Sequence, residues 1–463
     1  MAQFSISKKS KLRHIAGAVF ALSFALLTGE AKADDFKLDA QQIAYYQSGT
    51  ETARVRLLIE LIKNNHADMA ETLMKRFPLE GPLAQNRILF LEGLILESRG
   101  QLSASTTKFR AALANDPKLT LVRSELAQVL ARLDETDSAK HHLELLVADA
   151  PNSEQAAGIR SFIQQLDEHH PLTFSGFVSV APSTNINLGS SHQNVNTVLT
   201  GPSDPWNIDP ANQKQSGVGI TAGVNVGYSH RLGDHLQGVL AAGVDGTYYP
   251  SLSLATVGFN QTAELRYLFA ENYIGLGGVT SQAIDSVNRN FAYTSYGPRV
   301  SVQLMATPRD QLSASATYEW RVYNNNSGAN GNALLLSSIL THALNSSSNV
   351  ALIAGYENVV QQTNFNSYYD GTLGLGFYKE LPKGITLQGQ GIARLAGWDA
   401  ANPLAGYTRY DTNLTGSLTL TKRDWNWFGF APSLNYTYTR NFSNINVYDY
   451  DSHSVDFRLT KDF

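Results

Sequence analysis

Residues 217–228 read GVGITAGVNVGY, and the spacing of their apolar members decides how much of the chain folds. Val218, Ile220, Ala222, Val224, Val226 and Tyr228 occupy every second position; Gly217, Gly219, Thr221, Gly223, Asn225 and Gly227 fill the gaps. A period of two sends successive side chains to opposite faces of a strand. One face is therefore apolar and the other small or polar. The same alternation recurs in LSASATYEW (312–320), NLTGSLTL (413–420) and FGFAPSLNYTYT (428–439).

From Leu172 onward about fourteen such segments can be counted, and their connections alternate in length. LGD (232–234), EN (271–272), PRD (308–310), SSS (346–348), PKG (382–384) and KRDWN (422–426) are short. Between them lie longer polar stretches, the first from about Ala181 to Ser216, later ones NNNSGANGN, GWDAANPLAG and NFSNINVYDYD. Alternation in single strands also fits a water-soluble β-sandwich. Short turns on one side and long loops on the other favour an antiparallel transmembrane barrel. In hydrocarbon an unpaired backbone group costs several kcal/mol, so a lipid-facing sheet must close on itself. The last strand must then pair with the first, LTFSGFVSV (172–180). Val455, Phe457, Leu459 and Phe463 share one face of that last strand, broken at Lys461, and resemble the signal read by outer-membrane barrel-assembly machinery.

The first third of the chain has another period. After a basic stretch, KKSKLRH, comes an apolar run from Ile15 to Gly29 and AKA at 31–33, which reads as a cleaved signal peptide over residues 1–33. Residues 34–170 carry apolar side chains at helical spacing, as in RILFLEGLILESRG and LVRSELAQVLARLD. Gly93, Leu96, Phe109, Ala112 and Pro117 recur thirty-four positions later as Ala127, Leu130, Leu143, Leu146 and Pro151. That is the tetratricopeptide period; an ordinary helical bundle is the alternative. The expected architecture is thus α + β in two domains: periplasmic tetratricopeptide-like helices over 34–170 and an outer-membrane barrel over 171–463.

Composition narrows the chemistry. Net charge is −4 and no basic stripe occurs, which gives no footing for nucleic acid. With no cysteine, disulfides, thiolate metal sites and cysteine nucleophiles are excluded. No hydrolase, metalloprotease, P-loop or dinucleotide motif stands out, so we expect no catalytic, cofactor or metal residues. His141–His142 and His169–His170 are adjacent pairs, which point about 100° apart on a helix and chelate poorly. Repeat register places Arg87, Phe90, Leu94, Gln128 and Arg132 on a concave groove suited to an extended chain. Asp245, Glu264, Glu319 and Arg321 fall on polar strand faces and are expected in the lumen. Tyr248, Tyr249, Trp398, Trp425 and Trp427 lie near strand ends, where aromatic girdles sit.

FSGFVSVAPSTNINLGSS (174–191) and FAPSLNYTYTRNFSNINVYDYDSHSVDFRLTKDF (430–463) resemble the surface lipoprotein assembly modulators (Slam proteins, type XI secretion outer-membrane components). Asp462 stands where that family usually has a basic residue before the terminal Phe. The resemblance implies export of particular lipoproteins, or of soluble haem- or metal-acquisition proteins, to the cell surface. The helical repeats would engage the client or its periplasmic chaperone, and a monomeric barrel in outer-membrane lipid would supply the path. Two other readings remain open here: an exopolysaccharide exporter, which also joins repeats to a barrel, and a diffusion porin.

Overall fold

A computed structural model describes residues 40–150, 152–195, 206–252, 254–285, 291–324, 326–425 and 430–460. The expected signal peptide, Pro151, Trp427, Lys461 and Phe463 lie outside the described residues. The chain divides into two compact units, one ending at Leu166 and the other beginning at Asp167.

Eight helices precede the first barrel strand among the described residues: α1 Ala40–Ser48, α2 Glu51–Lys63, α3 Ala67–Arg76, α4 Ala84–Ser98, α5 Leu102–Asn115, α6 Thr120–Arg132, α7 Thr136–Val147 and α8 Ser153–His169, the last crossing the division. One turn geometry recurs between them. Asn65, Gly100 and Asp134 each take a left-handed conformation, at φ 64°, 76° and 62°. After each, the next amide reaches back five residues: His66 N to Leu61 O, Gln101 N to Leu96 O and Glu135 N to Leu130 O, at 2.8–3.0 Å. This is how a helix end satisfies its orphan carbonyls while reversing the chain. α4 packs on α5 and α6 on α7. Gly93 and Phe109 meet in the first pair, where a Cβ on Gly93 would overlap the ring. Ala127 and Leu143, fully buried, hold the equivalent places in the second.

The second unit is a closed antiparallel barrel of fourteen strands. They are β1 Leu172–Ser183, β4 Gly217–Arg231, β5 Leu236–Tyr249, β6 Leu254–Phe269, β7 Asn272–Asp285, β8 Phe291–Thr307, β9 Asp310–Tyr323, β10 Gly331–Asn345, β11 Ser348–Gln361, β12 Tyr368–Leu381, β13 Ile385–Ala401, β14 Thr408–Lys422, β15 Ala431–Ser443 and β16 Tyr450–Thr460. The two-residue strands β2 (Asn194–Val195) and β3 (Trp206–Asn207) pair within the first loop. Each barrel strand pairs with its neighbours in sequence, and β1 closes the cylinder against β16.

Several strands run further than the turn residues suggested. β13 continues through the Gly397–Ala401 part of GWDAANPLAG, and β15 takes in the start of NFSNINVYDYD. The β5–β6 connection spans only 250–253. In a barrel every additional strand residue can pair on both sides, so polar side chains at the mouth do not end the ladder.

Register fixes which side chains face out. Val178, Ile220, Val224, Leu240, Leu276, Leu352, Leu375, Leu418, Phe457 and Leu459 are exposed large apolar residues on the outer face. Tyr248, Tyr296, Trp320, Tyr356, Tyr369 and Tyr410 are exposed toward its long-loop end, and Tyr228 and Tyr267 toward the short-turn end. That is an apolar band between two aromatic girdles. No helix among the described residues is long and apolar enough to cross a membrane; the strands do so.

Candidate functional site: the lumen and its mouth

The register runs unbroken from Glu319 through Ala333, Val359, Tyr368 and Trp398, so these residues share one face. It is the face bearing Thr317, Ser315 and Ser337, and hence the lumen. By the same bookkeeping Asp245, opposite Gly223, and Glu264, opposite Val239, also point inward. All four anticipated charges line the bore, but only two of them meet. Arg321 Nε lies 3.2 Å from Glu319 and its Nη2 2.7 Å from Glu357 on β11. Glu264 pairs with Arg266, at 2.6 Å. Asp245 makes no ion pair among the described residues.

The charged wall extends further. Arg394 of β13 binds Asp370 of β12 at 2.6 Å and lies 3.8 Å from Glu357, while Tyr368 Oη donates to Glu357 at 3.2 Å. Glu319, Arg321, Glu357, Asp370 and Arg394 thus form one network across β9 to β13. It borders a cavity of about 440 Å³ also lined by Arg299, Thr317 and Thr372. Each opposite-sign pair neutralises a charge that the wall would otherwise have to solvate. Glu357, Asp370 and Arg394 were readable as inward by parity alone, but their meeting depends on register between strands.

Trp398 faces the lumen rather than lipid. The Arg409 guanidinium lies 4.0 Å from its ring and 3.5 Å from that of Tyr448, and it is ion-paired to Asp411. A cation held between two aromatic faces gains from both ring quadrupoles. Trp425 is exposed, as an anchor would be, and so is Tyr248, whereas Tyr249 turns inward with Thr247.

The mouth carries its own small core. Val195 and Ile208 of the first loop are buried with Ala405 and Ile445 from the 402–407 and 444–449 loops, against Leu404, Val447 and Tyr448. Ser190 Oγ donates to Asn446 O at 2.7 Å, and Lys214 pairs with Asp451 at 2.6 Å. Asn441 Nδ2, on the inner face of β15, donates to Tyr448 O at 2.7 Å, so the last loop leans over the rim. The described parts of the first loop are docked on the final hairpin.

In the helical unit the five groove candidates scatter. Phe90 and Leu94 are buried, at 6% and 4% exposure, Phe90 against Phe109 at 6.0 Å between ring centroids. They are packing residues, because α4 is apolar almost all round and has no spare apolar stripe to present. Arg87 pairs with Glu51 at 2.6 Å and Arg132 with Glu97 at 2.5 Å; Gln128 reaches Ser124 at 3.5 Å. Glu97 and Glu125, from α4 and α6, lie close to Arg132 and Lys63, with Lys63 3.6 Å from Glu125. Burial, reinforced by repulsion from Glu125, pushes the Glu97 carboxyl up to about 7 despite its arginine. Burial also raises Glu125. Among the described residues no group of three or more potential ligands is placed to hold a metal.

Comparison with known proteins follows this division. Residues 173–463 match the family model described as surface lipoprotein assembly modifier. A surface lipoprotein assembly modifier of Pasteurella multocida (strain Pm70) is 21% identical over 460 residues, covering 94% of this chain and 87% of that protein. The hemophilin secretion modulator of Acinetobacter baumannii is 22% identical over 418 residues, covering 81% and 78%. Among solved structures, Salmonella typhi OmpF aligns at 9% identity and a TM-score of 0.36, over 62% of this chain and 97% of that one.

Proposed function

The chain belongs to the surface lipoprotein assembly modifier family, and from that premise we propose that it is a translocator delivering specific lipoproteins, or soluble haem- or metal-acquisition proteins, to the cell surface. It is an outer-membrane barrel: closed, girdled and apolar on the outside. The observation that carries the reading is a family match that covers the whole barrel, joined to a bore lined by paired charges and small polar side chains. Such a bore can host an extended polypeptide, whose backbone groups find hydrogen-bond partners there.

Fourteen strands, an even number, bring both ends of the barrel to the short-turn side. In outer-membrane barrels that side is periplasmic, which supports reading the helical unit as tetratricopeptide-type repeats in the periplasm. There it would engage the client or its chaperone. No nucleotide-binding motif is present in the sequence, so net movement draws on client folding outside or on differential binding. No step in this scheme is a covalent reaction.

The test is a deletion strain complemented with the full-length gene, in which surface lipoproteins are digested by protease added to intact cells. Delivery that depends on the gene supports the assignment. Unchanged surface exposure in the deletion strain would refute it.

A further inference from the structure

Of all neighbouring strands in the cylinder, only β1 and β16 have no segment of chain joining one directly to the other. Their ladder matches Phe177 with Thr460, Val178 with Leu459, Ser179 with Arg458 and Val180 with Phe457; it then lapses and resumes at Ser183 with Ser454. Ala181 and Pro182 have no register partner on this side, though both pair with β4, opposite Gly219 and Val218.

The cause is Pro182. Thr184 N donates to His453 O at 2.9 Å. Backbone groups alternate in direction along a strand, so the even-numbered residues of β1 aim theirs at β16. Pro182 holds such a position opposite Val455 and has no N–H to give. Proline in a sheet belongs at an edge, and here it lies on the edge that seals the barrel. A comparable gap at Gly297 and Pro298 falls between β8 and β9. Those strands, unlike β1 and β16, are tied to each other by the turn at 308–309.

Side chains bridge the lapse instead. Ser179 Oγ donates to Asp456 at 2.6 Å, Arg458 pairs with Asp456 at 3.2 Å, and the Arg458 guanidinium sits 4.3 Å from the Phe177 ring. All of these lie on the wet face. On the lipid face Val178, Val180, Phe457 and Leu459 cover the join, each exposed. At the long-loop end the first loop clasps β16 through Lys214–Asp451 and Asn185 Nδ2–Asp451 O, at 2.6 and 3.0 Å.

We infer that the β1–β16 seam is a lateral port, through which the acyl-linked end of a lipoprotein stays in or regains the bilayer while its polypeptide occupies the bore. This rests on the translocator reading above. An acyl chain is driven from water into lipid in proportion to its methylenes, and the bore offers it ion pairs and hydroxyls. A slot in the wall lets each part of one client keep the solvent it prefers. Among the described residues the seam matches five register pairs, fewer than any other join in the barrel, and the loop clasp would hold it shut at rest.

The absence of cysteine allows a clean lock. Val178→Cys with Leu459→Cys spans the seam; cross-strand partners of this kind stand about 5.5 Å apart at Cα, within disulfide range. Val178→Cys with Ala222→Cys spans the continuous β1–β4 join as the control, and Val180→Cys with Phe457→Cys is a second seam pair. Each full-length variant is expressed in the deletion strain, lipoproteins are labelled with radioactive palmitate, and protease is added to intact cells with and without reductant. We expect both oxidised seam pairs to reduce protease-sensitive label to the level of the deletion strain, reductant to restore it, and the control pair to deliver normally. Normal delivery through an oxidised seam overturns the port, as does equal loss in the oxidised control. If deletion itself spares every labelled surface lipoprotein, the translocator reading falls and the port falls with it.

Discussion

Replacing Gly93 by alanine tests how tightly the helical unit is specified. In an open helix the change stabilises by about 1 kcal/mol, because alanine forms helix better than glycine. Here the new Cβ would fall inside the Phe109 ring. Phe109 is fully buried, so the ring cannot swing into solvent. Forcing a methyl into a filled core costs roughly 1–3 kcal/mol. The overlap is with a stiff ring edge, so the upper part of that range applies, and the balance is about 1 kcal/mol against the folded unit. For a unit of this size that lowers Tm by roughly 3 °C. Helix melts are readable at 222 nm on the full chain in detergent, since the helical signal comes almost wholly from this unit. Phe109→Leu in the same chain should remove the penalty, as the Ala127 and Leu143 pair does one repeat later. A raised Tm for Gly93→Ala alone would show that α4 and α5 can slide apart, and the reasoning would fail.

The helical unit should also respond to pH through Glu97. Its folded-state carboxyl sits at about 7, above the unfolded value, because of burial first and Glu125 second. A group with a raised folded pKa holds its proton in the native state, so stability is greatest below the unfolded pKa and is lost as pH climbs toward 7. The loss is about 3 kcal/mol at most; Glu125→Gln removes the repulsion but not the burial and should reduce it in part, and a melt series from pH 4 to pH 8 that is already flat in the wild type would contradict this. In the barrel, Arg321→Met leaves Glu319 and Glu357 facing each other without their shared cation. Truncating one member of a poorly exposed ion pair costs about 3 kcal/mol, with Arg321 only 10% exposed at its side chain. The guanidinium midpoint of the liposome-embedded protein should fall, and adding Glu319→Gln and Glu357→Gln should restore most of it; an unchanged midpoint for Arg321→Met would mean that lumen water already screens the network.

What the amino-acid order made legible was whatever depends on one strand or one helix at a time. The faces of β4 follow from GVGITAGVNVGY because parity is local, and the inward register of Asp245, Glu264, Glu319 and Arg321 rests on the same parity. The helical turns are less evenly marked, since Gly100 is the usual residue for a left-handed turn while Asn65 and Asp134 do the same work with a Cβ attached. Phe90 and Leu94 were misplaced for a physical reason: when a helix is apolar on most sides, register alone cannot say which side meets another helix.

The mouth of the barrel was hidden more deeply. Val195, Ile208, Ala405 and Ile445 are single apolar residues scattered through polar loops, with no period to connect them, and Lys214 meets Asp451 across 237 positions of sequence. Contacts of that kind arise only after the cylinder has closed, because closure is what brings the first loop beside the last. The same closure explains why Pro182 could not be weighed beforehand. A proline within a strand normally argues for an edge, and a barrel has none until one asks which pair of strands lacks a connecting turn. Once β1 is seen to seal against β16 there, Pro182 falls on the one join that no turn ties, where it removes a ladder hydrogen bond. The port we infer thus depends on where the barrel's first and last strands meet and on a proline there that lacks an amide hydrogen.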